Sequence, residues 1–158
     1  MDQLRLIAVG QEQLTSDDYY TPKDVFDRLA IEFDIDVCAP PGGIPWIPAK
    51  RFFTQEDDGL SQPWTGRVWM NPPYSNPTPW VRKFIRHGNG IALVPHAKSQ
   101  WHIELWAAAA AAAAVPPRYS NFIGGSIFMP VWFAAFGDEC VEALSRIGVV
   151  RVLPGAAS

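Results

Sequence analysis

Apolar residues in this chain fall into short runs divided by proline- and glycine-bearing segments. The runs alternate between helical and strand-like periods. Val25, Phe26, Leu29 and Phe33 recur at helical spacing, predicting a helix over Pro22–Glu32 with Thr21 as its cap and Pro22 at its first position. The run 33–39 ends at Pro40-Pro41-Gly42-Gly43 and reads as a buried strand entering a glycine-bearing loop. Residues 44–65 are loop-rich, with a short strand at Arg51–Thr54. Arg67–Met70 is a second strand stopped by Asn71-Pro72-Pro73-Tyr74, and Pro77–Arg86 a helix with Trp80, Val81, Phe84 and Ile85 on one side. Ile91–Val94 is a continuous apolar run before Pro95, hence a buried strand, and Ser99 starts a further helix. Phe122–Ile123 and Ser126–Phe136 pair as strands around Gly124-Gly125. Asp138 caps a last helix with Cys140, Val141, Leu144 and Ile147 inward, and Val149–Leu153 is a final strand. This order predicts an α/β architecture, whose ligands gather at the carboxyl ends of the strands.

Ala107–Ala114 interrupts the pattern. Alanine is the strongest helix former, so the run continues the helix begun at Ser99. It has no polar face, which is out of keeping with the rest of the chain and suggests placeholders for unassigned side chains. Intact-mass measurement against the written sequence checks it.

Composition narrows the class. The 158 residues suit one domain, with 1–17 as a flexible arm and 18–158 as the folded unit. At 48% hydrophobic residues the chain is not globally disordered. A formal charge of −3 argues against a sequence-independent nucleic-acid coat, but not against an enzyme meeting nucleic acid through one local basic face. Cys38 and Cys140 make neither a disulfide framework nor a metal signature, and no metal site is expected. No apolar run is long enough to span a bilayer, and the N-terminal stretch is too short and too acidic in its flanks for a signal peptide. The expected compartment is the cytoplasm. The 15 prolines, many in pairs, build rigid turns of the kind that shape a pocket wall or stiffen a surface loop.

Two strand ends carry candidate chemistry. Asp36-Val37-Cys38-Ala39 puts a carboxylate beside a loop of close approach, which suits a ligand bearing hydroxyls or an amine. Asn71-Pro72-Pro73-Tyr74 is more specific. The proline pair holds the backbone rigid, so the Asn71 amide oxygen and the Pro72 carbonyl can converge on one point. Two acceptors there match an NH2 group with two N–H bonds to donate, and Tyr74 offers a flat face for a ring.

Asn71-Pro72-Pro73-Tyr74 is similar to the NPPY motif of amino-methyltransferases that use S-adenosyl-L-methionine (AdoMet). Asp18-Tyr19-Tyr20-Thr21-Pro22 resembles the YTP segment preceding the first strand in those enzymes with the gamma-type motif order. Asp36–Gly43 occupies the place of their first AdoMet-binding motif, without its usual FxGxG. Asp57-Asp58-Gly59-Leu60 resembles the acidic segment ahead of the NPPY strand. With their flanks and the segment IALVPHAKSQWH, these motifs resemble the phage-encoded, Dam-like DNA N6-adenine methyltransferases over residues 18–137.

The resemblance implies a compact Rossmann-like AdoMet-dependent methyltransferase fold, three-layered with a mostly parallel sheet. It implies AdoMet as cofactor and DNA as partner, with protection from restriction as a role. Thr21 and Pro22 would lie by the methionine end of AdoMet with Tyr20 beside them, Asp36 and Cys38 by the first strand's loop, and Asp57 or Asp58 on the adenosine moiety. Asn71, Pro72 and Tyr74 would be catalytic, with Asn71 also near the cofactor. Adenine N6 is a poor nucleophile because its lone pair is delocalised into the ring. Holding both N–H bonds favours a more tetrahedral nitrogen whose lone pair faces the methyl, without a general base. The adenine must be flipped out, or the substrate single-stranded. Pro73, Ser75, His96 and Lys98 are the expected substrate contacts. Arg82, Lys83, Arg86 and Arg118 are basic candidates for phosphate, the first three reading more readily as a solvated helix face. Trp46 and Trp101 read equally as packing or base contacts. Two other readings stay open: methylation of another amine or amide (protein glutamine, RNA adenine), and a degenerate, non-catalytic AdoMet- or DNA-binding protein.

Overall fold

The computed structural model describes residues 20–115, 121–122, 125–126, 130–148 and 150–152. Its elements are α1 (Lys23–Leu29), β1 (Phe33–Asp36), β2 (Ala49–Phe52), β3 (Val68–Met70), α2 (Thr78–His87), β4 (Gly90–Pro95) and α3 (Gln100–Ala108). They continue with β5 (Ala111–Ala114), β6 (Asn121–Phe122), β7 (Gly125–Ser126), β8 (Val131–Phe136), α4 (Asp138–Ser145) and β9 (Val150–Val152). The proposed arm over 1–17, Asp18, Tyr19 and Arg118 lie outside the described residues.

Seven strands form one sheet in the order β2-β1-β3-β4-β8-β5-β9. β2, β1, β3 and β4 run parallel. β8 is antiparallel to β4, and β5 is antiparallel to both β8 and β9. The sheet is therefore mixed, not mostly parallel. β5 and β8 are neighbours that need no helical crossover between them, so the chain returns beside β5 in the opposite direction. α4 then links β8 to β9, with β5 seated between those two strands.

Helices cover both faces, as three layers require. On one face α1 and α4 bury Val25, Phe26, Leu29, Cys140 and Leu144 against Trp69, Ile91 and Phe133 of the sheet. On the other, α2 and α3 bury Val81, Phe84, Trp101 and Leu105 against Ile35, Val68, Val94 and Trp132. All of β3 and β4 is buried, which is why their sequences read as unbroken apolar runs. Gly90 permits β4 to lie so close to β3: at φ 154° a Cβ there would stand 2.2 Å from the Val68 carbonyl oxygen.

Several local expectations change. α1 begins at Lys23, with Pro22 at the N-cap, and Thr21 does not cap it. It ends at Ala30 in the left-handed region (φ 50°), whose N–H donates to the Phe26 carbonyl. A Cβ there is disfavoured, while glycine loses more entropy on folding. Ala30→Gly is expected to stabilise the protein by about 0.5 kcal/mol, read as a higher urea midpoint; an unchanged or lower midpoint refutes it. The alanine run divides: helix to Ala108, then strand from Ala111. Ala111–Ala113 are buried between β8 and β9, and ladder pairing there outweighs alanine's helical preference. Ser126–Phe136 is not a single strand. β6 and β7 pair with each other, while β8 belongs to the main sheet. Ile123, Gly124, Val149 and Leu153 lie outside the described residues. Asp138 opens α4 as its first residue, with Gly137 at the cap.

Candidate active site at the carboxyl edge of the sheet

A cavity of about 520 Å3 opens at the carboxyl ends of β1, β2 and β3. Parallel strands end together, so chain segments distant in sequence meet there. From β1 come Asp36, Cys38, Ala39 and the first prolines of the following loop. β2 delivers Phe53, Thr54 and Gln55, then Asp58 and Gly59. Asn71, Pro72, Pro73 and Ser75 follow β3, and Tyr20 and Thr21 come from ahead of α1.

Backbone bonds past the strand ends hold these walls. Phe53 N–H donates to the Asp36 carbonyl at 2.9 Å, Ala39 N–H to the Phe53 carbonyl at 2.8 Å, and Val37 N–H to the Trp69 carbonyl at 3.1 Å. The turn at 57–60 approaches β1 so closely that a Cβ on Gly59 would lie 2.5 Å from the Val37 carbonyl oxygen. Pro73 accepts from Asn76 N–H at 3.2 Å, closing the turn after the proline pair.

Two polar groups give the cavity its chemistry. Asp36 is 3% exposed and accepts a 3.3 Å bond from Cys38 N–H. Desolvation pushes its carboxyl up to about 7, against the lowering effect of the Cys38 bond. Thr21 is buried, and its hydroxyl has no partner among the described residues. The Thr21 carbonyl accepts from Trp46 Nε1 at 2.9 Å, so Trp46 anchors this segment. A buried hydroxyl without a partner among the described residues and a buried carboxyl on the same cavity mark a place where a ligand's hydrogen-bonding groups would be satisfied.

The structure gathers Tyr20, Thr21, Asp36, Cys38, Asp58, Asn71, Pro72, Pro73 and Ser75 around one cavity. It separates the two acidic candidates: Asp58 lines the cavity, whereas Asp57 accepts from the Thr54 N–H (2.8 Å) and hydroxyl (3.0 Å) to close a turn. Pro22 stands at the cap of α1 rather than on the wall. Tyr74 is half-buried and not among the lining residues, and its hydroxyl is buried without a partner among the described residues. Burial pushes that phenol above its ordinary range. His96 and Lys98 also lie off the cavity wall. Trp101 is core, on the buried side of α3.

Two of the basic candidates are committed elsewhere. Arg82 pairs with Glu104 at 3.1 Å. Lys83 donates to the Leu60 and Gln62 carbonyls at 2.7 and 2.5 Å and lies 4.9 Å over the Trp64 ring. Arg86 is exposed on the same helix. Phe53, Trp69 and Trp80 line the cavity unpredicted by sequence. For Phe53 a signal existed: it follows a strand parallel to β1, and the strand-end rule applies to it as well.

A family model described as DNA N-6-adenine-methyltransferase (Dam) matches residues 11–122. A DNA N-6-adenine-methyltransferase of Haemophilus phage HP1 (strain HP1c1) is 46% identical over 56 residues, covering 35% of this chain and 31% of that relative. The matched stretch thus spans about a third of the length of the curated relative. The family model takes in α1 through β6 and with them every wall of the cavity, and the chain belongs to the DNA N-6-adenine-methyltransferase (Dam) family.

Proposed function

We propose that this chain transfers a methyl group from AdoMet to the N6 amino group of adenine in DNA, on a Rossmann-like methyltransferase fold. The observation that carries the reading is the convergence of Asn71-Pro72-Pro73 with Thr21, Asp36 and Asp58 on one cavity. A volume of about 520 Å3 lies inside the range of roughly 300–1,000 Å3 usual for cofactor pockets. The Thr21 hydroxyl, without a partner among the described residues, and the desolvated Asp36 carboxyl fit a ligand that carries an amine, a carboxylate and ribose hydroxyls. Phe53, Ile44 and Trp80 supply apolar wall for its ring.

When bound, AdoMet would supply an electrophilic methyl group on a sulfonium that departs as a neutral thioether, and the surplus proton of the methylated amine would pass to solvent. Asn71 and the Pro72 carbonyl hold the two N–H bonds of the adenine amine, and their rigid backbone aligns its lone pair. Asp36 and Thr21 orient the cofactor, Asp58 takes the adenosine side, and Ser75 and Pro73 border the base. Tyr74 gives a stacking face once its ring turns toward the cavity, which would also release its buried hydroxyl from an unpaired state. The acceptor base leaves the helix stack to reach Asn71. No helix among the described residues is long and apolar enough to cross a membrane. We place the activity in the cytoplasm of the host cell, where the DNA lies.

The test is transfer of labelled methyl from AdoMet to unmodified DNA, followed by digestion to nucleosides. Label in N6-methyldeoxyadenosine is the expected result. AdoMet binding by calorimetry with no label on DNA would replace this reading with methylation of another amine or amide. Absence of AdoMet binding would overturn it in favour of a non-catalytic protein.

A further inference from the structure

A second cluster of rings gathers beyond the end of β4, apart from the cavity. His102 and Trp106 stack on α3 with centroids 6.3 Å apart and planes inclined by 8°. Trp132 of β8, buried to 1% exposure, underlies them at 5.4 Å from His102 and 5.2 Å from Trp106. His96 lies 6.0 Å from Trp132, and its Nδ1 is 3.3 Å from His102 Nε2. The outer surface is open: Trp106 is 43% exposed and Ile103, three residues before it, 62%.

This surface shares an edge of the sheet with the cavity. β3 and β4 are parallel with Met70 opposite Ala92, so Asn71–Pro73 and His96 leave the sheet on the same side. Lys98 is exposed just beyond His96. The lone carboxylate of α3, Glu104, is neutralised by Arg82 at 3.1 Å. The surface therefore combines exposed flat rings, a nearby cation and no unpaired negative charge on its helix. Those features suit a nucleic acid strand, whose bases stack on aromatic rings whatever their sequence.

We propose that the exposed face of Trp106, with Ile103 and His102, stacks an unpaired base of the DNA strand flanking the target adenine. The proposal rests on the reading of the cavity as an adenine methylation site. It places part of the strand's recognition on stacking outside that cavity.

The test uses the full chain with AdoMet and a fluorescein-labelled single-stranded oligonucleotide, read by anisotropy. Trp106→Ala is expected to weaken binding at least about fivefold, as loss of one stacked base implies. Trp106→Phe should restore most of it. The slope of log affinity against log salt should stay the same, because no phosphate contact is lost. AdoMet affinity by calorimetry should not change. Ile103→Glu, at an exposed position that leaves the core untouched, should weaken DNA binding with an unchanged thermal midpoint. Unchanged affinity in both variants overturns the proposal, as does a wild-type protein that binds no oligonucleotide. A dimer dissociated by Ile103→Glu with DNA affinity intact also overturns it, in favour of self-association. Weakened binding in the variants of a protein that puts no methyl on adenine supports the stacking surface and refutes the adenine reading alone.

Discussion

Asn71→Ala is expected to slow methyl transfer by about 10²–10³-fold while leaving AdoMet affinity within a few-fold of wild type. The amide sits directly after the buried β3 and is followed by two prolines, so its backbone position does not depend on its side chain. Alanine removes one of two acceptors for the adenine amine, and that contact strengthens as the nitrogen becomes tetrahedral. The loss should therefore appear in the single-turnover rate at saturating AdoMet and DNA rather than in the cofactor's Kd. Asn71→Asp keeps an acceptor oxygen and should retain more activity than alanine. Transfer at the wild-type rate in Asn71→Ala would refute the role assigned to this side chain.

Asp36→Asn should change how both stability and cofactor affinity depend on pH. Burial holds the folded carboxyl at about 7, against an ordinary value of 3.8. Between those values the folded chain binds more protons than the unfolded one. The contribution of Asp36 to stability is full below the ordinary value and is lost as pH rises through about 7. Ligand-free wild type should thus lose a few kcal/mol of stability from this group between about pH 4 and pH 8. The asparagine variant should lack that slope and be the more stable protein at pH 8. Cofactor binding runs the other way, because donors of the ligand need the carboxylate. Wild-type AdoMet affinity should be about tenfold weaker at pH 6 than at pH 8, and pH-independent at this site in the variant. Urea unfolding at pH 5 and 8, with calorimetry at pH 6 and 8, reads both effects. Parallel pH profiles for the two proteins would refute them.

The sequence by itself determined the elements whose pattern is local. The helical repeat of Trp80, Val81, Phe84 and Ile85 reports α2 to within a residue at each end, since a helix must turn one stripe inward. The unbroken run at Ile91–Val94 reports a strand covered on both faces. The contiguous Asn71–Tyr74 motif could be found for the same reason: its rigidity is built into neighbouring prolines.

Tertiary structure decided whatever depends on partners distant in the chain. Periodicity reports that a segment is buried but not which strand lies beside it or in which direction. The antiparallel placement of β8 and the strand at Ala111–Ala114 were therefore not legible. Thr21 has the chemistry of a helix cap, but the fold turns its hydroxyl away from that role and leaves it buried at the cavity with no partner among the described residues. Asp57 and Asp58 are neighbours of identical type, and each accepts within a turn, Asp57 from Thr54 and Asp58 from the Ser61 hydroxyl; only Asp58, at φ 52°, also borders the cavity. His96 and Lys98 follow a strand at the same edge but leave it beside α3 and β8, away from the pocket. The division follows from range: hydrophobic period and proline stiffness act within a few residues, whereas the cavity exists only where parallel strands from separate parts of the chain end side by side.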